Sequence, residues 1–281
     1  MEPAGARLSV VVITRDEAHR IERCLRAVSF ADEIVVLDSQ SRDGTAELAR
    51  ALGARVAVEP DFPGFGAQKN RALAMATGDW VLSLDADELV TPELAGSIRA
   101  AVRDAASPDG FWLRRSSSWC GRTIRHGDWR GDRVLRLFRR GRACFSNDVV
   151  HERVLCPVPH GELAGTLLHD SVESIADAQA KMLRYARLGA ARLRERGRGG
   201  LLPACTHAAW TLARGLLLRG GLLDGRAGCQ IAAMNARGTF LRYRWAGLPE
   251  ASAEREALAL SARIAPRRPQ PSKARVTGSR P

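Results

Sequence analysis

Short apolar runs alternate with amphipathic stretches through the first hundred residues. Leu8–Thr14 is a β-branched run with little polar alternation, as expected of a strand buried on both faces. Behind it Ile21, Cys24, Leu25 and Val28 recur at helical spacing, with Asp16 placed to cap that helix. The pattern then repeats. A strand is predicted over residues 33–38, a helix from Asp43-Gly44-Thr45 to Gly53, and a weaker strand over 55–59. A helix over 68–76 closed by Gly78 and a strand over 80–85 follow, then a helix with Thr91 as N-cap and Pro92 at its first position. Alternation of this kind predicts an α/β fold, a Rossmann-like and mostly parallel sheet with helices on both faces. Ligands of such sheets bind beyond the carboxyl ends of the strands.

Past residue 105 the pattern changes. Residues 110–115, 134–139 and 143–146 read as strands of an antiparallel or mixed extension, and from Ile175 to about Leu223 the chain reads as helical. Met182, Tyr185, Ala186, Leu188 and Leu193 form its apolar stripe, with Arg184, Arg187, Arg192, Arg194 and Arg196 around it. Residues 265–281 are rich in Pro, Arg and Ser and read as a disordered tail. The expected organisation is an α/β domain over 1–170 (with a first half over 1–105 and a second over 106–170), a helical extension over 171–264, and the tail.

Composition adds an asymmetry. Lys+Arg number 43 against 31 Asp+Glu, a net charge of +12, and only three of the 43 are lysine. Residues 1–100 carry 11 basic and 16 acidic side chains, whereas residues 101–281 carry 32 and 15. A uniformly basic nucleic-acid binder does not divide this way, and with two tyrosines the chain lacks interleaved aromatics. No nucleic-acid partner is expected. The six cysteines are scattered with no zinc spacing, and neither a secretory signal nor a run of about 18 apolar residues is present. These features point to a cytoplasmic protein, peripheral on the inner face of the membrane.

The sharpest chemical signal is Asp85-Ala86-Asp87-Glu88. Two carboxylates at i and i+2, where a strand gives way to a loop, can converge on Mg²⁺ or Mn²⁺ and leave positions open for phosphate oxygens. Asp38 ends another predicted strand at the same edge. There is no GxGxxG and no GxxxxGK[ST] to cradle phosphate, so a nucleotide would be held through metal on its diphosphate and acidic contacts elsewhere.

The segments Leu8-Ser-Val-Val-Val-Ile-Thr-Arg-Asp-Glu17, Glu33-Ile-Val-Val-Leu-Asp-Ser-Gln-Ser-Arg-Asp-Gly-Thr45, Lys69-Asn70 and Gly78-Asp-Trp-Val-Leu-Ser-Leu-Asp-Ala-Asp-Glu88 resemble family 2 glycosyltransferases of the GT-A fold. Arg136-Leu-Phe-Arg139, Val150-His-Glu152 and Leu222-Leu-Asp-Gly225 are similar to bacterial lipopolysaccharide-core β-glucosyltransferases, which carries the resemblance to about residue 245. It implies an inverting, metal-dependent hexosyltransferase that moves a hexose, glucose first among candidates, from a UDP-sugar to a lipopolysaccharide-core glycolipid. The alternative is transfer to a polyprenyl phosphate or another envelope polysaccharide.

By the same resemblance Thr14 and Glu17 sit at the nucleotide edge and Asp38 accepts a hydrogen bond from the uracil imide. Asp85 meets ribose or metal, and Asp87 binds the metal. Lys69 is either a diphosphate contact or part of a solvated helix face, and Asp43 is a helix cap rather than a ligand contact. Glu152 is the first choice for the base that deprotonates the acceptor, ahead of Asp132, with Asp128 and Asp148 behind them. His151 and His169 either complete the metal shell or are structural. The arginines of the second half either form a solvated helix face or meet phosphorylated glycolipid and an anionic membrane surface. Residues 201–223 either lie in that interface or pack on the catalytic domain.

Overall fold

The structure, a computed structural model, describes residues 5–146, 153–157 and 159–264. The chain divides after Ser171 into two compact units. The first opens with β1 (Leu8–Thr14), α1 (Ala18–Ala27), β2 (Glu33–Asp38), α2 (Thr45–Ala51), β3 (Arg55–Val58), α3 (Phe65–Met75) and β4 (Trp80–Asp85). These are followed by β5 (Glu88–Val90), α4 (Pro92–Arg103), β6 (Gly110–Trp119), β7 (Arg122–Thr123), β8 (Asp132–Arg139), β9 (Cys144–Phe145), β10 (Val154–Leu155) and β11 (Gly161–Val172). The main sheet has the order β3-β2-β1-β4-β8-β6-β11-β5, with β7 on β6 and β9 paired separately with β10. β1 to β4 run parallel, and β8 turns the sheet antiparallel by pairing with β4 and β6. A parallel sheet continued by antiparallel strands is the GT-A arrangement that the resemblance implies.

The pleat explains why β1 reads as unbroken hydrophobe. Val10 and Val12 face a core shared with Ile21 and Leu25 of α1, Ala49 of α2 and Ile98 of α4. Val11 faces the other layer, with Ala72 of α3, Phe138 of β8 and Phe145 of β9. Successive side chains of a strand point to opposite faces, so helices on both sides demand apolar residues at every position.

Three local expectations are corrected. Asp16 does not cap α1. It adopts a positive φ of 55° and its carboxylate accepts from the Arg42 amide at 2.8 Å. The amide of Ala18 donates instead to Asp43 at 2.9 Å, and that of Glu17 to the Thr45 hydroxyl at 2.9 Å, so one loop caps the helix of another. α3 begins at Phe65, three residues before the predicted start. The strand predicted over 143–146 is a two-residue strand outside the main sheet.

The second unit is helical: α5 (Ile175–Glu195), α6 (Leu201–Ala213), α7 (Gly225–Ala246) and α8 (Glu250–Ile264), with a π turn over Arg214–Leu218 and a 3-10 turn over Gly221–Asp224. Its core joins Met182, Leu183, Ala186 and Ala190 of α5 to Leu241 and Trp245 of α7 and Ala253 and Ala257 of α8. Of the stripe expected on α5, Tyr185 and Leu188 are exposed, and Ala178, Leu183 and Ala190 take the buried positions. Among the described residues no helix is long and apolar enough to cross a membrane. The tail predicted to be disordered lies outside the described residues.

Candidate active site

Three neighbouring parallel strands deliver polar residues to one edge. Thr14 pairs in register with Asp38, and Ile13 with Asp85, which places the ends of β1, β2 and β4 side by side. Asp38 is buried, and its carboxylate accepts from the Ser41 amide at 2.8 Å and the Ser41 hydroxyl at 2.5 Å. Beside it Gln68 of α3 donates to the Ser39 hydroxyl at 3.1 Å. The Thr14 hydroxyl is buried without a hydrogen-bond partner among the described residues. An unmet buried hydroxyl is costly unless a ligand meets it.

Asp85 is the hinge of a buried charge chain. One carboxylate oxygen takes the Lys69 ammonium at 2.8 Å and the other takes Arg136 at 2.5 Å. Arg136 also reaches Glu88 at 2.8 Å. Glu88, fully buried, accepts Arg115 at 3.2 Å, and Arg115 grips Asp132 at 2.5 Å. The amide of Asp85 donates to Glu88 at 3.0 Å, closing the turn between β4 and β5.

Burial alone would raise the Asp85 carboxyl. Arg136 and Lys69 override it and hold the group far below the usual carboxylate range. Burial would likewise lower the Arg136 guanidinium, but Asp85 and Glu88 hold it above the ordinary arginine value. Cys24 of α1 packs beneath this turn, where burial foremost, and then the neighbouring carboxylates, push its thiol up and leave it unreactive.

Asp87 points away from that chain. Its carboxylate lies 3.4 Å from Nε2 of His169, and Nδ1 of His169 lies 3.0 Å from the Ser117 hydroxyl. β11 brings His169 there by pairing antiparallel with β5, in register with Glu88. Glu17 stands at the same edge, its carboxyl raised by burial and by the charge of Asp87 against the opposing pull of Arg20. Asp170 follows, bonded to Ser118 at 3.0 Å and ion-paired with Arg23.

Among the described residues no cluster of three or more His, Cys, Asp or Glu forms a closed metal cage. Asp87 and His169 fit an open site of the Mg²⁺ or Mn²⁺ kind, in which one or two protein groups hold the ion and substrate phosphates complete its shell. With the Ser117 hydroxyl accepting from Nδ1–H, the Nε2 lone pair is available for such an ion.

The structure brings Thr14, Glu17, Asp38, Asp85, Asp87 and His169 to this edge, with Lys69 beneath Asp85. Lys69 is 3% exposed, so the reading of it as part of a solvated helix face is overturned. Asp132 opens β8 with its Oδ2 occupied by Arg115. Asp128 lies in a 3-10 turn over Gly127–Trp129, while Asp148, His151 and Glu152 lie outside the described residues. Sequence reasoning missed Arg115, Arg136 and Ser117 as members of the site. Arg136 alone left a trace, as an isolated arginine inside the apolar run of β8.

Sheet and edge define a doubly wound α/β domain with its ligand side at the carboxyl ends of β1, β2 and β4. Residues 9–146, just under half of the chain, match the family described as glycosyl transferase family 2. An uncharacterised glycosyltransferase of Rickettsia bellii is 43% identical over 93 residues, 33% of this chain and 31% of that protein. The lipopolysaccharide core biosynthesis glycosyltransferase LpsC of Rhizobium meliloti is 30% identical over 172 residues, 58% of this chain and 62% of its own. Among solved structures, glucosyl-3-phosphoglycerate synthase of Mycobacterium tuberculosis in complex with Mn²⁺, UDP and glucosyl-3-phosphoglycerate is 28% identical, with a TM-score of 0.35 over 41% of this chain and 45% of that one. The chain thus spans about a third of the Rickettsia protein and under two thirds of LpsC.

Proposed function

We propose that this chain transfers a hexose, glucose first among candidates, from a UDP-sugar to a lipopolysaccharide-core glycolipid with inversion at the anomeric carbon. The observation that carries the reading is the convergence of Thr14, Asp38, Asp85 and Asp87 at one strand edge with His169 behind them. The name of the LpsC relative supports the acceptor class.

In this reading Asp38, its two oxygens held in place by the amide and hydroxyl of Ser41, accepts the uracil imide N–H on a remaining lone pair. The Thr14 hydroxyl, unmet among the described residues, faces the same nucleotide. Asp87 and His169 hold Mg²⁺ or Mn²⁺, which when bound would offset the charge gathering on the departing UDP. Asp85, both of whose oxygens are already ion-paired, contacts ribose or metal through its remaining lone pairs. Lys69 acts through Asp85, fixing that carboxylate in place. Glu152 is assigned as the base ahead of Asp132, whose engagement by Arg115 makes it the poorer proton acceptor.

The test is release of UDP from UDP-hexoses with a heptose-containing core oligosaccharide as acceptor. Turnover is expected with Mn²⁺ or Mg²⁺ and to vanish in EDTA and in Asp87→Ala. Glu152→Gln is expected to lose about 10²-fold or more. Full activity in EDTA or in Asp87→Ala would sink the reading.

A further inference from the structure

The large apolar side chains outside the cores of the second unit concentrate in one stretch. α6 and the two turns after it expose Leu202, Trp210, Leu217, Leu218, Leu222 and Leu223, each between 50% and 75% accessible. Leucines at this exposure on a loose loop would mean little. Here the backbone beneath them is fixed. A Cβ on Gly221 would lie 2.6 Å from the Gly215 carbonyl oxygen, and one on Gly228 would overlap the Gly221 carbonyl. The π turn, the 3-10 turn and the start of α7 therefore touch backbone to backbone, with no side chain between them. Gly220 and Gly225, at φ of 70° and 61°, make the bends. Packed this way, the turns leave Leu217, Leu218, Leu222 and Leu223 on the outside.

The surroundings carry one sign of charge. From Arg196 to Leu248 the chain has eight arginines and a single acidic residue, Asp224, which is buried. Arg226 is exposed beside the leucines, and Arg214 and Arg219 belong to the same turns. The whole second unit carries 20 basic and 7 acidic residues, net +13, so all of the chain's excess charge resides there.

A protruding apolar ridge with a tryptophan and an arginine surround has the chemistry of an interfacial anchor. Leucines enter the acyl boundary, tryptophan sits at headgroup level and guanidinium groups meet lipid phosphate. We infer that the ridge formed by α6 and the turns over residues 214–224 docks the protein on an anionic phospholipid bilayer. The inference rests on the proposed glycolipid acceptor for its purpose, since such an acceptor is itself held in a membrane. It rests on nothing but the second unit for its binding.

The experiment is sedimentation of the full chain with phosphatidylcholine vesicles, with and without one third phosphatidylglycerol, in the absence of any sugar substrate. Strong binding to the anionic vesicles alone, weakened by salt, is expected. The variant with serine at positions 217, 218, 222 and 223 is expected to bind at least about tenfold more weakly, with unchanged circular dichroism. Arg219→Gln/Arg226→Gln is expected to weaken binding while sparing the apolar ridge.

No sedimentation of the parent protein, or equal binding by the serine variant, would overturn the inference. So would a dimer by light scattering that the serine variant dissolves, because the occupant of the ridge would then be a second copy. UDP release with soluble acceptor, measured on the same variants, keeps this outcome separate from the catalytic reading. The serine variant is expected to retain it in full.

Discussion

Arg136 joins two carboxylates that would otherwise repel across a buried turn. Its guanidinium lies within 2.5 Å of Asp85 and 2.8 Å of Glu88, and little of it is exposed. Removing one partner of such an arrangement leaves uncompensated charge in a place water does not reach, which costs more than the intact pair contributes. Arg136→Met is therefore expected to destabilise the first unit by about 3 kcal/mol in urea titrations at neutral pH, and Arg136→Lys by distinctly less. A loss under about 1 kcal/mol would mean that Lys69 and Arg115 suffice to hold the two carboxylates.

Asp38, Asp85 and Asp87 were legible in the sequence because each sits where an apolar run ends, and sheet topology sends all such ends to one edge. Lys69 was not legible as a buried cation. Its partner stands sixteen residues further on, and only the packing of α3 beside β4 brings the two together. His169 could be named as a metal-ligand candidate, but not placed, because nothing local says which strand β11 will join.

β11 is the element that the sequence concealed, and the site depends on it. It runs for twelve residues, yet only Leu163, Leu167 and Val172 are buried, so the two-residue period that marks a strand is broken. Within it Gly165 has φ of 92° and lies against the backbone of Leu94 at the start of α4. One residue on, the Thr91 hydroxyl donates to the Thr166 carbonyl at 2.9 Å, so β11 and the cap of α4 are locked together.

From this clamp the register runs on to His169, opposite Glu88. Gly165→Ala would place a side chain in a left-handed backbone and into Leu94 at once, and is expected to cost about 2 kcal/mol or more. It is further expected to weaken metal-supported turnover beyond what stability explains, by shifting His169. Unfolding midpoints together with a Mn²⁺ titration of activity would check both. An unchanged midpoint would show that the clamp is not tight. The parallel strands β1, β2 and β4, by contrast, could be read directly, since two helical layers leave them few polar positions between their ends.

At the scale of the molecule, the basic excess follows the boundary after Ser171. The sequence alone divides the charge near residue 100 and spreads the basic excess over residues 101–281. Counted by compact unit, residues 1–171 are almost balanced, with 23 basic and 24 acidic side chains, and residues 172–281 carry +13, of which the helices over 172–264 hold +8. Its core is also the leaner one, built largely from alanine around Trp245 and Leu241, whereas the first unit has the larger aliphatic layers around Trp80. A small core burdened with like charge pays in self-repulsion, which salt relieves by shortening the screening length.

The two units are therefore expected to unfold in separate steps with opposite sensitivities. Trp80 and Trp245, both fully buried, lie one in each unit, and variants that keep only one of the six tryptophans, the other five replaced by phenylalanine, isolate the signal of each. Raising NaCl from about 0.05 to about 0.5 M is expected to raise the midpoint followed by Trp245. The midpoint followed by Trp80 is expected to move little, because the charges of its unit nearly balance. A single transition common to both probes, or a Trp245 midpoint indifferent to salt, would show that the excess charge is not a burden on the folded helical unit. Coincidence of the transitions in the presence of anionic vesicles, but not in their absence, would mark the bilayer as the partner that relieves it.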